Sequence, residues 1–159
     1  MAEQLPNLFS PIDIRNITLR NRIFSTGHVT GLANGGMTDR LLAYHEARAK
    51  GGAGLVITEV APVHESAFFS THDLRADTDE CIPGFQRLAD AIHAQGCKLF
   101  VQIFHPGRLV FESIDGSAPV AYAPSAVPEE RFHTMPREMP PEFITEIVTA
   151  FGDAAVRVQ

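Results

Sequence analysis

One order of signals recurs three times along this chain, and that recurrence restricts the fold more than any other feature. A short apolar run is followed by a long loop and then by a segment with apolar residues at helical spacing. Gly54-Leu55-Val56-Ile57-Thr58-Glu59-Val60 is the clearest of the apolar runs. It does not alternate between apolar and polar residues, as expected for a parallel strand covered on both faces. Arg22-Ile23-Phe24-Ser25 and Lys98-Leu99-Phe100-Val101-Gln102-Ile103-Phe104 are its counterparts. Three helices complete the units. Thr38 is placed to cap the first, which carries Leu41, Leu42, His45 and Arg48 up to Gly51-Gly52. The second has Ile82, Phe85, Leu88, Ala89 and Ile92 on one face, Pro83 in its first turn and Gly96 at its end. Phe143, Ile144, Ile147, Val148, Phe151, Ala155 and Val158 mark the last, which runs to the C-terminus without a stop signal. Ahead of the repeats, Ile12-Asp13-Ile14 and Ile17-Thr18-Leu19 alternate around Arg15-Asn16 and predict a two-stranded hairpin.

Strand and helix in strict succession imply an α/β fold with a parallel sheet and helical crossovers, either a closed barrel or an open doubly wound sheet. The barrel is favoured for two reasons. The long loops all follow strands, culminating in the stretch from His105 to Pro141, whereas the returns at Gly51-Gly52-Ala53 and Gln95-Gly96-Cys97 are tight. That asymmetry suits a (β/α)₈ barrel with its chemistry at the C-terminal ends of the strands. The first strand also lacks the Gly-x-Gly-x-x-Gly turn of a dinucleotide-binding open sheet. Such barrels take about 250 residues, and three units of eight cannot close one. The expectation is that residues 1–159 form the N-terminal portion of a single barrel domain, truncated before the barrel closes.

With 45% hydrophobic and 20% charged residues, the chain has the composition of a globular domain. A net charge of −6, with no basic run interleaved with aromatics, argues against nucleic acid and anionic lipid as partners and favours a small-molecule substrate. Homo-oligomerisation is left open. The first residues lack a secretory signal and no window reaches the length of a membrane span, so a cytoplasmic location is expected and no membrane association. Cys81 and Cys97 flank one predicted helix and would lie about 24 Å apart, which excludes a disulfide between them. They are read as buried apolar residues, and no metal site is expected from them.

Several segments of the sequence together resemble the old yellow enzyme group of FMN oxidoreductases, in the branch that includes 2,4-dienoyl-CoA reductase and trimethylamine dehydrogenase. They are Leu8-Phe9-Ser10-Pro11-Ile12 with Leu19-Arg20-Asn21-Arg22-Ile23, the Gly54–Glu59 run, Gln102-Ile103-Phe104-His105-Pro106-Gly107-Arg108, and Ala123-Pro124-Ser125-Ala126-Val127-Pro128. Their order and spacing cover nearly the whole chain. The resemblance implies an FMN-dependent oxidoreductase in which NAD(P)H reduces the flavin and the flavin then passes hydride to an activated alkene or similar acceptor. It places the flavin across the barrel mouth, against Thr26, Gly27, His28 and Val29 after the first strand, Val60 after the second, and Gln102 at the end of the third.

Each of these positions has a chemical reason. A carboxamide offers one acceptor and two donors, which match the alternating edge of an isoalloxazine pyrimidine ring. By pattern alone Gln102 is equally a polar residue satisfied inside the barrel, and the resemblance implies that it reads that edge. Backbone N–H groups at the strand ends can face the atoms where charge grows on reduction. Gly27 lets backbone approach a flat ring. Val29 occupies a position where the family has a Thr or Cys, and it can neither hydrogen-bond nor form a covalent link, so the flavin is expected to be non-covalent. His28 either stacks beside the ring, reaches substrate, or is a histidine satisfied by a loop carbonyl, and is the one catalytic candidate within the chain. Arg108 either faces substrate or pairs with a carboxylate. His105 is read as structural, and His45, His64, His72, His93 and His133 as solvated or packed.

The family's anchoring His-x-x-His or His-x-x-Asn run, its Tyr proton donor and the barrel phosphate site would all follow Gln159. An iron–sulfur cluster and FAD are expected only in that later portion. The chain alone is therefore expected to hold FMN weakly and to turn over nothing. Two other readings remain. A metal-dependent barrel hydrolase or lyase would use His28, Glu59 and His105 on one ion, although it lacks paired histidines on one strand. A non-catalytic fragment would act through its unpaired strand edges as an association module.

Overall fold

The computed structural model describes residues 5–68, 70–110, 112, 117, 119–131 and 133–159. A one-turn helix α1 (Pro6–Phe9) leads into the hairpin β1 (Ile12–Ile14) and β2 (Ile17–Leu19), paired antiparallel with Ile14 opposite Ile17. Arg15 takes the turn with φ 53°. The central sheet follows. Its strands β3 (Phe24–Ser25), β4 (Leu55–Pro62) and β5 (Lys98–Phe104) are all parallel, in the order β3-β4-β5. Helices α2 (Asp39–Lys50) and α3 (Ile82–His93) form the crossovers, and α4 (Pro141–Arg157) follows β5. The architecture is the expected α/β one: an N-terminal hairpin and three βα units of a (β/α)₈ barrel.

Local chemistry sets the helix ends as read from sequence. The Thr38 hydroxyl accepts the Leu41 N–H at 3.1 Å and itself donates to the Leu32 carbonyl at 2.6 Å, so the cap also fastens the preceding loop. Gly96 leaves α3 at φ +67°. The final helix closes at Arg157, one residue before a cap at Val158. Within the His105–Pro141 stretch the described residues add three short elements that patterning does not reveal. A single turn spans Gly107–Leu109, and β6 (Tyr122–Ala123) and β7 (Arg137–Glu138) pair in parallel. Strands of two residues carry too few side chains for any period to register.

Two apolar clusters lie between the sheet and the helices, one of them completed by Ala33, Leu74 and Ala76 from the loops. Val56 packs with Ala49, Ala53, Leu88, Ile92 and Cys97. A second cluster joins Leu41, Ala61, Val63, Leu74, Phe85 and Ala154. Cys97 is buried, whereas Cys81 is only half-buried, so the reading of both as buried holds for one of them. The cause is position: Cys81 ends a 3₁₀ turn just ahead of α3 and borders the apolar cluster that Phe85 joins, without being enclosed by it.

Among the described residues no helix covers the opposite face of the sheet. Phe24 is 53% exposed there, and Ile57 and Val60 are half-buried. No helix among the described residues is long and apolar enough to cross a membrane.

At the N-terminal end of the sheet, the Leu19–Ile23 segment works as a fastener. Arg20 donates to the carbonyls of Ala49 (3.0 Å), Ala53 (2.7 Å) and Gln95 (2.7 Å), tying the ends of α2 and α3 together. Asn21 donates to Gly52 at 2.8 Å, and a Cβ on Gly54 would lie 2.7 Å from the Asn21 Oδ1. These motif residues therefore serve stability at the closed end of the barrel, away from the strand C-termini.

Candidate functional site

The C-terminal ends of β3, β4 and β5 meet at one place, and a bulge in β4 shapes it. Register runs Ile57 to Phe100 but then Val60 to Gln102, so β4 holds one more residue than β5 over this span. The extra residue restores alternation. Val60 turns to the open face, while Thr58 and Glu59 are both fully buried. Beside the bulge the Gln102 N–H donates to the Thr58 hydroxyl at 3.2 Å. That hydroxyl in turn donates to the Glu59 carbonyl at 2.9 Å.

Gln102 shares the open face with Val60, and its side chain is exposed. Among the described residues its carboxamide makes no hydrogen bond. Gly27 lies directly beside it. A Cβ on Gly27 would overlap the Gln102 Oε1 and stand 2.5 Å from the Thr58 carbonyl oxygen. Gly27 is thus required by close approach of three strand ends and not by a left-handed backbone. The structure brings together Gly27, Val60 and Gln102, three of the residues singled out by sequence, with Thr58 between them.

The loop leaving β3 carries the other three. Thr26, His28 and Val29 are exposed, Val29 at 45%. Glu59 fastens this loop from below. Its Oε2 accepts the Thr30 N–H at 3.0 Å and the Thr30 hydroxyl at 2.5 Å, while its Oε1 is buried without a partner among the described residues. His28 places Nδ1 3.2 Å from the Thr26 carbonyl and Nε2 against the Tyr44 hydroxyl. Neither Thr58 nor Tyr44 is visible in the sequence as a site residue. Thr58 acts through the bulge, and Tyr44 lies a loop and a helical turn away from His28.

Arg108 is exposed and donates to the Val127 carbonyl at 3.2 Å, so its partner is backbone and not a carboxylate. His105 closes the turn after β5. Its Nδ1 accepts the Gly107 N–H at 3.0 Å, and its Nε2 meets the Ser66 hydroxyl at 3.1 Å. Burial first, and the neighbouring His64 second, push its pKa down to about 4. His64 is neither simply packed nor solvated: it bridges Ser66 at 2.9 Å and Glu146 at 3.0 Å. His28, Glu59 and His105 each face a different set of partners, and the structure does not gather them around one point. Among the described residues no group of three His, Cys, Asp or Glu side chains could hold a metal ion.

Three parallel strands with helices on one face are arranged as in part of a (β/α)₈ barrel, and the unspent polar group at their C-terminal ends marks the strand tips as the candidate site. Comparison with known proteins narrows this. The chain belongs to the NADH:flavin oxidoreductase / NADH oxidase family, whose model matches residues 7–159. It is 44% identical over 158 residues to an NADH oxidase of Thermoanaerobacter brockii, covering 97% of this chain and 24% of that protein. An NADPH dehydrogenase of Listeria monocytogenes is 35% identical over 162 residues, covering 98% of this chain and 45% of the relative. Among solved structures, a 2-naphthoyl-CoA reductase bound to 2-naphthoyl-CoA superposes with a TM-score of 0.86 at 31% identity, over 96% of this chain and 25% of that one. The chain thus spans between a quarter and a half of the length of these relatives.

Proposed function

We propose that this chain forms the N-terminal portion of one barrel domain in an FMN-dependent NAD(P)H oxidoreductase, and that its part is to hold one edge of the flavin. The observation that carries this is the Gln102 carboxamide: exposed, without a hydrogen bond among the described residues, and set beside Gly27 and Val60 at the strand tips. One acceptor and two donors left unspent at such a place fit the alternating polar edge of an isoalloxazine ring. When bound, FMN would supply the hydride-transfer chemistry between NAD(P)H and an activated alkene or similar acceptor.

The chain's own residues would bind and orient. Gln102 pairs with the pyrimidine edge. Thr26, Gly27 and Val60 offer backbone at the ends of β3 and β4, where N–H donors favour the reduced state. Glu59 holds Thr30, and through it the loop that bears His28 and Val29. Valine at position 29 leaves the cofactor non-covalent. The activity, substrate and reductant of the whole protein belong to this proposal, as does a small-molecule partner.

Titration of the chain with FMN, followed by flavin fluorescence, tests the reading. Binding weaker than micromolar, further weakened by Gln102→Leu, is the expected result. A Gln102→Leu chain that binds as well as the unsubstituted one would refute the role of the carboxamide. Flavin remaining with denatured polypeptide would refute non-covalent attachment.

A further inference from the structure

His28 is the one ring in the β3 loop, and its hydrogen bonds define what it can do. The Thr26 carbonyl oxygen opposite Nδ1 can only accept, so the ring proton resides on Nδ1. In the neutral ring Nε2 is then an acceptor, and the Tyr44 hydroxyl donates to it. Tyr44 is held in turn. The Arg48 guanidinium carbon lies 3.2 Å from its ring centroid, and Arg48 Nη1 donates to the Tyr44 carbonyl at 2.7 Å. Both nitrogens of His28 are therefore engaged, and the side chain nonetheless remains exposed. What it presents is a flat imidazole face.

A group that protonates substrate needs a ring nitrogen free to reach it. Here neither is free. From this we infer that Tyr44 is a positioning residue that locks His28 as the Nδ1–H tautomer, so that His28 is an aromatic stacking platform for the flavin ring and not a proton donor. The inference rests on the flavin reading above. It extends the site to α2, which carries Tyr44 and Arg48 on adjacent turns.

Two measurements on the same ¹⁵N-labelled chain separate the lock from the platform. Long-range ¹H–¹⁵N correlation at neutral pH should show His28 protonated on Nδ1, and Tyr44→Phe should shift the ring toward the Nε2–H form. Addition of FMN should move the His28 ring protons upfield. His28→Ala should weaken FMN binding by about three- to tenfold, the range expected for one lost aromatic stacking contact, and His28→Phe should restore it. An Nε2–H tautomer in the unsubstituted chain, or one that Tyr44→Phe leaves unchanged, would overturn the lock. His28→Phe binding as poorly as His28→Ala would overturn the platform while the flavin reading stands. A chain with the locked tautomer but no FMN binding would overturn platform and flavin reading together.

Discussion

Replacing Gly27 by alanine probes the junction on which the candidate site depends. The added methyl would meet two atoms of different kinds. The Gln102 Oε1 ends a flexible side chain and can swing aside, but the Thr58 carbonyl belongs to β4 backbone and stands 2.5 Å from the new Cβ. Ordinary contact begins near 3.4 Å, so the ends of β3 and β4 must separate by roughly an ångström. Overpacking of this sort costs about 1–3 kcal/mol. The displaced Gln102 carboxamide should also leave its place beside Val60. Urea unfolding followed by circular dichroism measures the first effect, and the side-chain amide resonances of Gln102 report the second. A change in unfolding free energy below about 0.5 kcal/mol, with those resonances unmoved, would refute the argument that three strand tips converge on Gly27.

Acid should destabilise the chain through two histidines. His45 is 2% exposed, both its ring nitrogens lack partners among the described residues, and its pKa is pushed down to about 4 by burial, then by Arg48 and His28. Unfolded, it takes a proton near 6.5, so between 6.5 and 4 the unfolded state binds more protons and stability falls as pH is lowered. His105 behaves alike, and each contributes up to about 3 kcal/mol across that window. His45→Leu should flatten the dependence in urea midpoints measured from pH 7 to 4, and an unchanged slope would contradict its buried neutral state. Arg20→Lys should lower stability by about 2–4 kcal/mol in thermal or urea melts, because an ammonium cannot serve three carbonyls as the planar fork does. Retention of full stability would show those contacts to be incidental.

The course of the backbone was legible in the sequence wherever a signal is local. Thr38 and Gly96 announce helix ends through their own conformational chemistry, and the β-branched Leu55–Val60 run announces a buried strand, although among the described residues only one of its two faces is covered by helices. The tight returns and long loops similarly indicated which end of the sheet would carry chemistry. Gln102 could be nominated only through the family resemblance, because a carboxamide in an apolar strand is equally well satisfied inside a barrel.

Tertiary structure alone decided how those candidates meet. The bulge that buries Thr58 and Glu59 together depends on pairing between β4 and β5, strands that start more than forty residues apart. Tyr44 meets His28 because α2 packs back on the sheet, and Arg20 proves structural because α2 and α3 end where it can reach them. Sequence by itself determines propensity, periodicity and donor chemistry, which act over a few neighbouring residues. Proximity between distant residues is a property of the packed chain, and in this protein it is what brings Gly27, Thr58 and Gln102 together at the strand tips.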